Sequence, residues 1–137
     1  MMPKMIFVNL PVRDLAASLA FYEALGGTLN PQYSDDTTKS VMLSDTIVVM
    51  LLNHERYQSF TARPIGDPRA AGQAMYALNV DARDDVDATI DRLVAAHGKA
   101  DPNPPQDHGF MFSRSAEDPD GHVWELVWMD MAAMGGE

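Results

Sequence analysis

No cysteine occurs among the 137 residues, so disulfides, thiolate nucleophiles and cysteine metal ligands are excluded. A chain without cysteine suits a reducing compartment, and a cytoplasmic location is expected. No apolar run approaches the roughly 20 residues that a membrane-spanning helix needs. The Met-Met-Pro-Lys start has no long apolar stretch of the kind a secretory signal carries. Basic residues are scarce, 10 Lys and Arg against 20 Asp and Glu, for a formal charge of −10. Proteins grip nucleic acid and anionic membrane by setting Lys and Arg against phosphates, so neither partner is expected. The same charge favours solubility and would steer cationic ligands inward. A glycine-rich phosphate loop, a Gly-x-Ser-x-Gly elbow and a His-Glu-x-x-His pair are all missing.

What the chain does have is a repeated half. Phe7-Val-Asn-Leu-Pro-Val12 is echoed 68 positions later by Met75-Tyr-Ala-Leu-Asn-Val80. The ends of the halves also match, Asp45-Thr-Ile-Val-Val-Met-Leu51 against Asp120-Gly-His-Val-Trp-Glu-Leu126. A chain built twice from one unit tends to bind ligands where the units meet, because clefts form there.

Local patterns fill in the unit. Residues 5–12 alternate like a strand, and Pro11 marks an edge or a bend. Asp14 is a helix N-cap candidate, followed by Leu15, Leu19, Tyr22 and Leu25 at helical spacing and a stop at Gly26-Gly27. Strands are predicted around 28–33, 39–44 and 46–53. Residues 54–73 are polar, with Pro64, Gly66 and Pro68, and read as a connection with a short helix near 54–60. A strand at 73–80 leads into a helix over 84–97, with Val86, Ile90, Leu93 and Val94 on its apolar face and Gly98 at its end. Asp101-Pro-Asn-Pro-Pro105 is irregular, since proline lacks the donor and fixes φ. Strands at 109–115 and 122–129 flank the turn Asp118-Pro-Asp-Gly121. The order is β-α-β-β-β, twice: an α+β chain of one domain, with module one at about 5–53, the connection at 54–73, module two at about 74–130 and a frayed tail at 131–137.

This order, the motif Val8-Asn-Leu-Pro-Val-Arg-Asp-Leu15 with Phe21-Tyr22 on the next helix, and Asp118-Pro-Asp-Gly-His-Val-Trp-Glu-Leu126 resemble the vicinal oxygen chelate superfamily. Glyoxalase I, extradiol dioxygenases, fosfomycin-resistance enzymes and bleomycin-resistance proteins are members. The chain is most similar to the group labelled predicted lactoylglutathione lyase. The resemblance covers about residues 5–130. It implies two tandem βαβββ modules forming a curved mixed sheet around a cleft, and a homodimer made by edge contact or exchange of halves.

In metal-dependent members, the resemblance implies two metal ligands from each half. The glyoxalase-type positions fall on Phe7, Met50, Met75 and Glu125. Only Glu125 suits a hard divalent ion. Phe7 has no lone pair, and the thioethers of Met50 and Met75 suit soft ions. An alternative donor set would join Glu125 to His54 and His108. His97 reads as solvated, and His122 as turned away from Glu125 by strand alternation.

With the family's parity, the cleft is lined by Phe7, Asn9, Val48, Met50, Leu52, Met75, Ala77 and Glu125, with Val123 and Val127 on the same side. Ile6, Val8, Leu10, Tyr76, Leu78, Trp124, Leu126 and Trp128 would pack on the helices. A one-residue slip would exchange the faces. Three fates are open to Glu125. It pairs with Arg114 or Arg13, or acts as a general base with a pKa raised by burial, or meets a cationic or hydrogen-bond-donating ligand. The expected function is binding of a small, partly apolar or cationic organic molecule in the inter-module cleft, with no metal cofactor. One alternative is a divalent-metal-dependent lyase, isomerase or dioxygenase. Another is a non-catalytic structural or regulatory dimer.

Overall fold

Asp14 is where the first strand becomes a helix. Its backbone is still extended, and its side chain accepts the Ala17 N–H at 3.1 Å, which satisfies one of the free donors of the first turn. The computed structural model describes residues 1–132. Module one runs β1 (Ile6–Val12), α1 (Leu15–Ala24), β2 (Thr28–Leu29), β3 (Thr38–Met42) and β4 (Ile47–Asn53). A short helix, α2 (His54–Gln58), opens the connection. Module two runs β5 (Met75–Asn79), α3 (Arg83–Ala95), β6 (Lys99–Ala100), β7 (Gln106–Asp107), β8 (Met111–Glu117) and β9 (Val123–Met129).

Each module builds its own sheet, ordered β1-β4-β3-β2 in one and β5-β9-β8-β6 in the other, with β7 also on β8. The first and last strands of each module pair in parallel, and the repeat keeps its register. Asn9 lies opposite Met50 in the first, Ala77 opposite Glu125 in the second. The helices cover one face of the two sheets and share a single buried cluster that includes Leu10, Phe21, Tyr22, Leu51, Ile90 and Trp124. The family's parity therefore holds on the helix side, except that Ile6 is 54% exposed.

Several local expectations are corrected. The strand predicted at 28–33 is cut to two residues, because Pro31 and the Asn30 side chain, which accepts the Gln32 N–H, start a 3-10 turn over Pro31–Tyr33. The two-residue strands β6 and β7 bracket the proline-rich loop and were not expected. Val94 is 46% exposed, because Thr89 completes the buried row with Val86, Ile90 and Leu93. At the end of α3 the left-handed residue is His97, at φ 73°. Gly98 serves a different need, close approach, since a Cβ there would sit 2.7 Å from the Leu93 carbonyl oxygen and from the Phe21 ring. The Asp118–Gly121 turn forms as expected, with Gly121 at φ 102° donating to the Asp118 carbonyl at 3.0 Å. Met131 and Ala132 form a turn, and the rest of the expected tail lies outside the described residues.

Candidate functional site

The modules are tied at one corner by buried polar groups. Asp118 Oδ1 accepts the N–H groups of Asp120, Gly121 and His122, each at 2.9 Å. Asp118 Oδ2 accepts the Tyr22 hydroxyl at 2.7 Å, and that hydroxyl accepts Trp124 Nε1–H at 2.9 Å. Burial pushes the Asp118 carboxyl above its ordinary value, with the charge of His122 and the Tyr22 hydroxyl pulling it back. Burial and the neighbouring Asp118 hold the Tyr22 phenol well above its ordinary value, so it stays a neutral donor. His122 Nε2 reaches the Pro11 carbonyl at 2.9 Å, and Asp120 Oδ1 accepts the Arg13 N–H at 3.0 Å. The turn of module two is thereby locked to β1 and α1 of module one.

The eight residues expected in the cleft lie on the sheet faces turned away from the helices. The ladders set Phe7 beside Val48, Asn9 beside Met50, Met75 beside Val123 and Ala77 beside Glu125. Their exposure differs. Phe7 and Met75, on the two edge strands, are 54% and 62% exposed, whereas Val48 and Leu52 are buried. Glu125 is half-buried next to Ala77 and Ser115, and its carboxylate has no hydrogen-bond or ion-pair partner among the described residues. The expected arginine partners are engaged elsewhere. Arg114 bonds Asp87 and Asp101, each at 2.8 Å, and Arg13 pairs with Asp120. Asn103, in the proline-rich loop, folds toward this face, exchanging hydrogen bonds with Ser115 and donating to Met75 Sδ at 3.3 Å.

Two half-open clefts lie along the connection. α2 packs on β1 and β4, and beneath it a cavity of about 420 Å³ is lined by Asn9, Leu52, Tyr57, Phe60 and Thr61. A larger cavity of about 860 Å³ shares Asn9, Tyr57 and Thr61 and extends along residues 63–74 to Met75, Tyr76 and His122. Both fall in the range of small-molecule sites. Of the eight expected residues, Asn9, Leu52 and Met75 line these cavities. Phe7, Met50, Ala77 and Glu125 line neither and stay on the open faces, and Val48, which also lines neither, is buried.

Sequence reasoning missed Tyr57, Phe60, Thr61 and Arg63, because a polar connection shows no period that marks a wall. The signal available was a cluster of two aromatics and an arginine in an otherwise polar stretch. The connection is held in place by Arg69, which crosses to module two and donates to Glu117 Oε1 at 3.2 Å and to the Pro119 carbonyl at 3.0 Å.

Residues 4–126 match the family model described as the Glyoxalase/Bleomycin resistance protein/Dioxygenase superfamily. The chain belongs to this superfamily. No curated protein matches it. Among solved structures, a hypothetical protein from S. aureus is 23% identical with a TM-score of 0.76, over 93% of this chain and 94% of that one. A glyoxalase-related enzyme from Fulvimarina pelagi is 25% identical with a TM-score of 0.76, over 93% of this chain and 88% of that one. The fosfomycin resistance protein FosX from Mesorhizobium loti is 18% identical with a TM-score of 0.70, over 99% of this chain and 100% of that one.

Superfamily membership raises the question of a divalent metal, and the donors present do not fit one. Phe7, Met50 and Met75 stand at three of the four glyoxalase-type positions, and a lone carboxylate at the fourth cannot hold a hard ion against water. The alternative set is not assembled either. His54 opens α2, His108 is exposed beyond β7, and Glu125 sits on β9. Among the described residues, no three His, Asp or Glu side chains are grouped so as to hold a metal ion. No helix among the described residues is long and apolar enough to cross a membrane.

Proposed function

We propose that this superfamily member binds a small, partly apolar organic molecule in the inter-module cavity, without the divalent metal of the glyoxalase type. The observation that carries the reading is a half-open cleft of about 860 Å³ lined jointly by Asn9 of module one, Tyr57 of the connection and Met75 of module two. Leu52, Tyr57, Phe60 and Met75 supply apolar and aromatic surface, and methionine adapts to varied shapes. Asn9 supplies a side-chain amide to orient a guest. A cationic guest is a second reading, favoured by the unpaired, half-buried Glu125, and it would sit on the open face of module two.

The proposal includes a homodimer. β1 and β5 are edge strands with unpaired outer edges, and apolar Ile6, Phe7 and Met75 are exposed along them. A second copy would cover these edges and the open faces.

The test is metal analysis of protein purified from Mn-, Fe-, Ni- or Zn-supplemented medium, together with mass spectrometry of co-purified small molecules. The expected result is metal far below one equivalent and an organic guest released on denaturation. Stoichiometric metal that disappears in Glu125→Gln would overturn the metal-free reading. A guest whose retention depends on Glu125 would transfer the site to the open face.

A further inference from the structure

We infer that the guest of the inter-module cavity is an organic acid whose carboxylate is held by Arg63, an inference that rests on the binding function proposed above. Of the seven arginines in this acidic chain, Arg92 bonds the Ala24 carbonyl and Thr89 Oγ1, and Arg56 stacks on the Phe60 ring, both without an ion pair among the described residues. Arg83, Arg114, Arg69 and Arg13 all have carboxylate partners. Arg63 lines the cavity, and its guanidinium has no hydrogen-bond or ion-pair partner among the described residues.

Its backbone is fixed from both sides. The Arg63 N–H donates to Thr61 Oγ1 at 3.2 Å, and its carbonyl accepts Gln58 Nε2–H at 2.8 Å. Pro64 then restricts the chain further. The backbone that carries the guanidinium is therefore ordered.

Three other polar side chains around it favour the same chemistry. Asn9, Tyr57 and Tyr76 line the cavity, and their amide and hydroxyl groups have no hydrogen-bond partner among the described residues. Each can donate a hydrogen bond to a carboxylate. Burial, Tyr57 and Asp118 raise the Tyr76 phenol above its ordinary value, which keeps it protonated and able to donate. Two other titratable groups line this wall. Asp67 has Oδ1 committed to the Arg69 N–H at 3.0 Å, and His122 contacts the Pro11 carbonyl. Guanidinium matches carboxylate through paired, charge-assisted hydrogen bonds in one plane.

The experiment measures binding to the full chain by calorimetry, using phenylacetate, cinnamate and octanoate, each beside its amide. Arg63→Gln and Arg63→Lys are run in parallel. At least one acid should bind tenfold or more tightly than its amide, a preference on the order of that expected from a charge-assisted hydrogen bond. Arg63→Gln should erase the preference, Arg63→Lys should keep part of it, and added salt should weaken it. Acid and amide binding alike, or acid binding unchanged in Arg63→Gln, overturns the inference while leaving the binding function standing. No binding by any of the six compounds counts against the binding function itself, and the inference goes with it. Because Arg63 is exposed, neither substitution disturbs the core, and thermal melting of each variant verifies this.

Discussion

Asp118 concentrates the electrostatics of the fold in one side chain. It is 1% exposed, accepts four hydrogen bonds, and joins a turn of module two to a helix of module one through Tyr22. Four donors are what make a buried carboxylate tolerable, since each free lone pair would otherwise lose its water. Burial still dominates, and the folded carboxyl lies above the ordinary aspartate value of 3.8. The fold then holds this proton more tightly than the unfolded chain does. Its stabilising contribution is full below the ordinary value and is lost as the pH rises through the folded value. We expect the urea midpoint of the wild type, measured relative to Asp118→Asn, to fall as the pH is raised above about 4. Parallel midpoint curves for the two proteins across that range would remove Asp118 as the source. The Asp-Pro-Asp-Gly turn was legible in sequence because proline and glycine act locally. The role of Asp118 was not, because its partner Tyr22 lies 96 positions away.

At the scale of elements, the two long helices start differently. α1 has a side-chain cap at Asp14, whereas α3 starts at Ala82, which has none. Only Asp85 compensates, reaching back to accept the Ala82 N–H at 3.1 Å. Ala82 already has the extended backbone of an N-cap, at φ −132° and ψ 150°. Ala82→Ser would complete a reciprocal capping pair and should stabilise the protein by about 0.5–1 kcal/mol. A chemical denaturation curve showing no gain, or a loss, would mean that α3 needs no further cap. The long elements were readable because their periods span many residues. β6 and β7 were not, since two residues carry no period. Gly98 was readable as a helix end, but its constraint is close approach to the Leu93 carbonyl and to the Phe21 ring of the other module.

At the scale of the molecule, the open edges matter most. Met5, just before β1, is 44% exposed, Ile6 and Phe7 on β1 are each 54% exposed, and Met75 is 62% exposed on β5. Apolar edge strands of this kind are normally covered. The proposed dimer should appear in sedimentation as a species of twice the chain mass, and the pair Ile6→Lys with Phe7→Lys should convert it to monomer. Wild-type protein that stays monomeric at all accessible concentrations would count against the dimer, as would a double variant that still pairs.

The sequence by itself determined the twofold βαβββ plan, and with the family resemblance it implied the parity of the strands and the mismatch of Phe7, Met50 and Met75 with a hard metal. Each of these depends on residue type and on spacing along the chain. Only the tertiary structure decided that the connection, with Tyr57, Phe60 and Arg63, walls the cavity, and that Glu125 stands outside it without Arg13 or Arg114. Those facts depend on how a segment with no repeating pattern folds back across two modules. Its course is set by distant contacts such as Arg69 on the Asp118–Gly121 turn, and nothing in the local pattern encodes them.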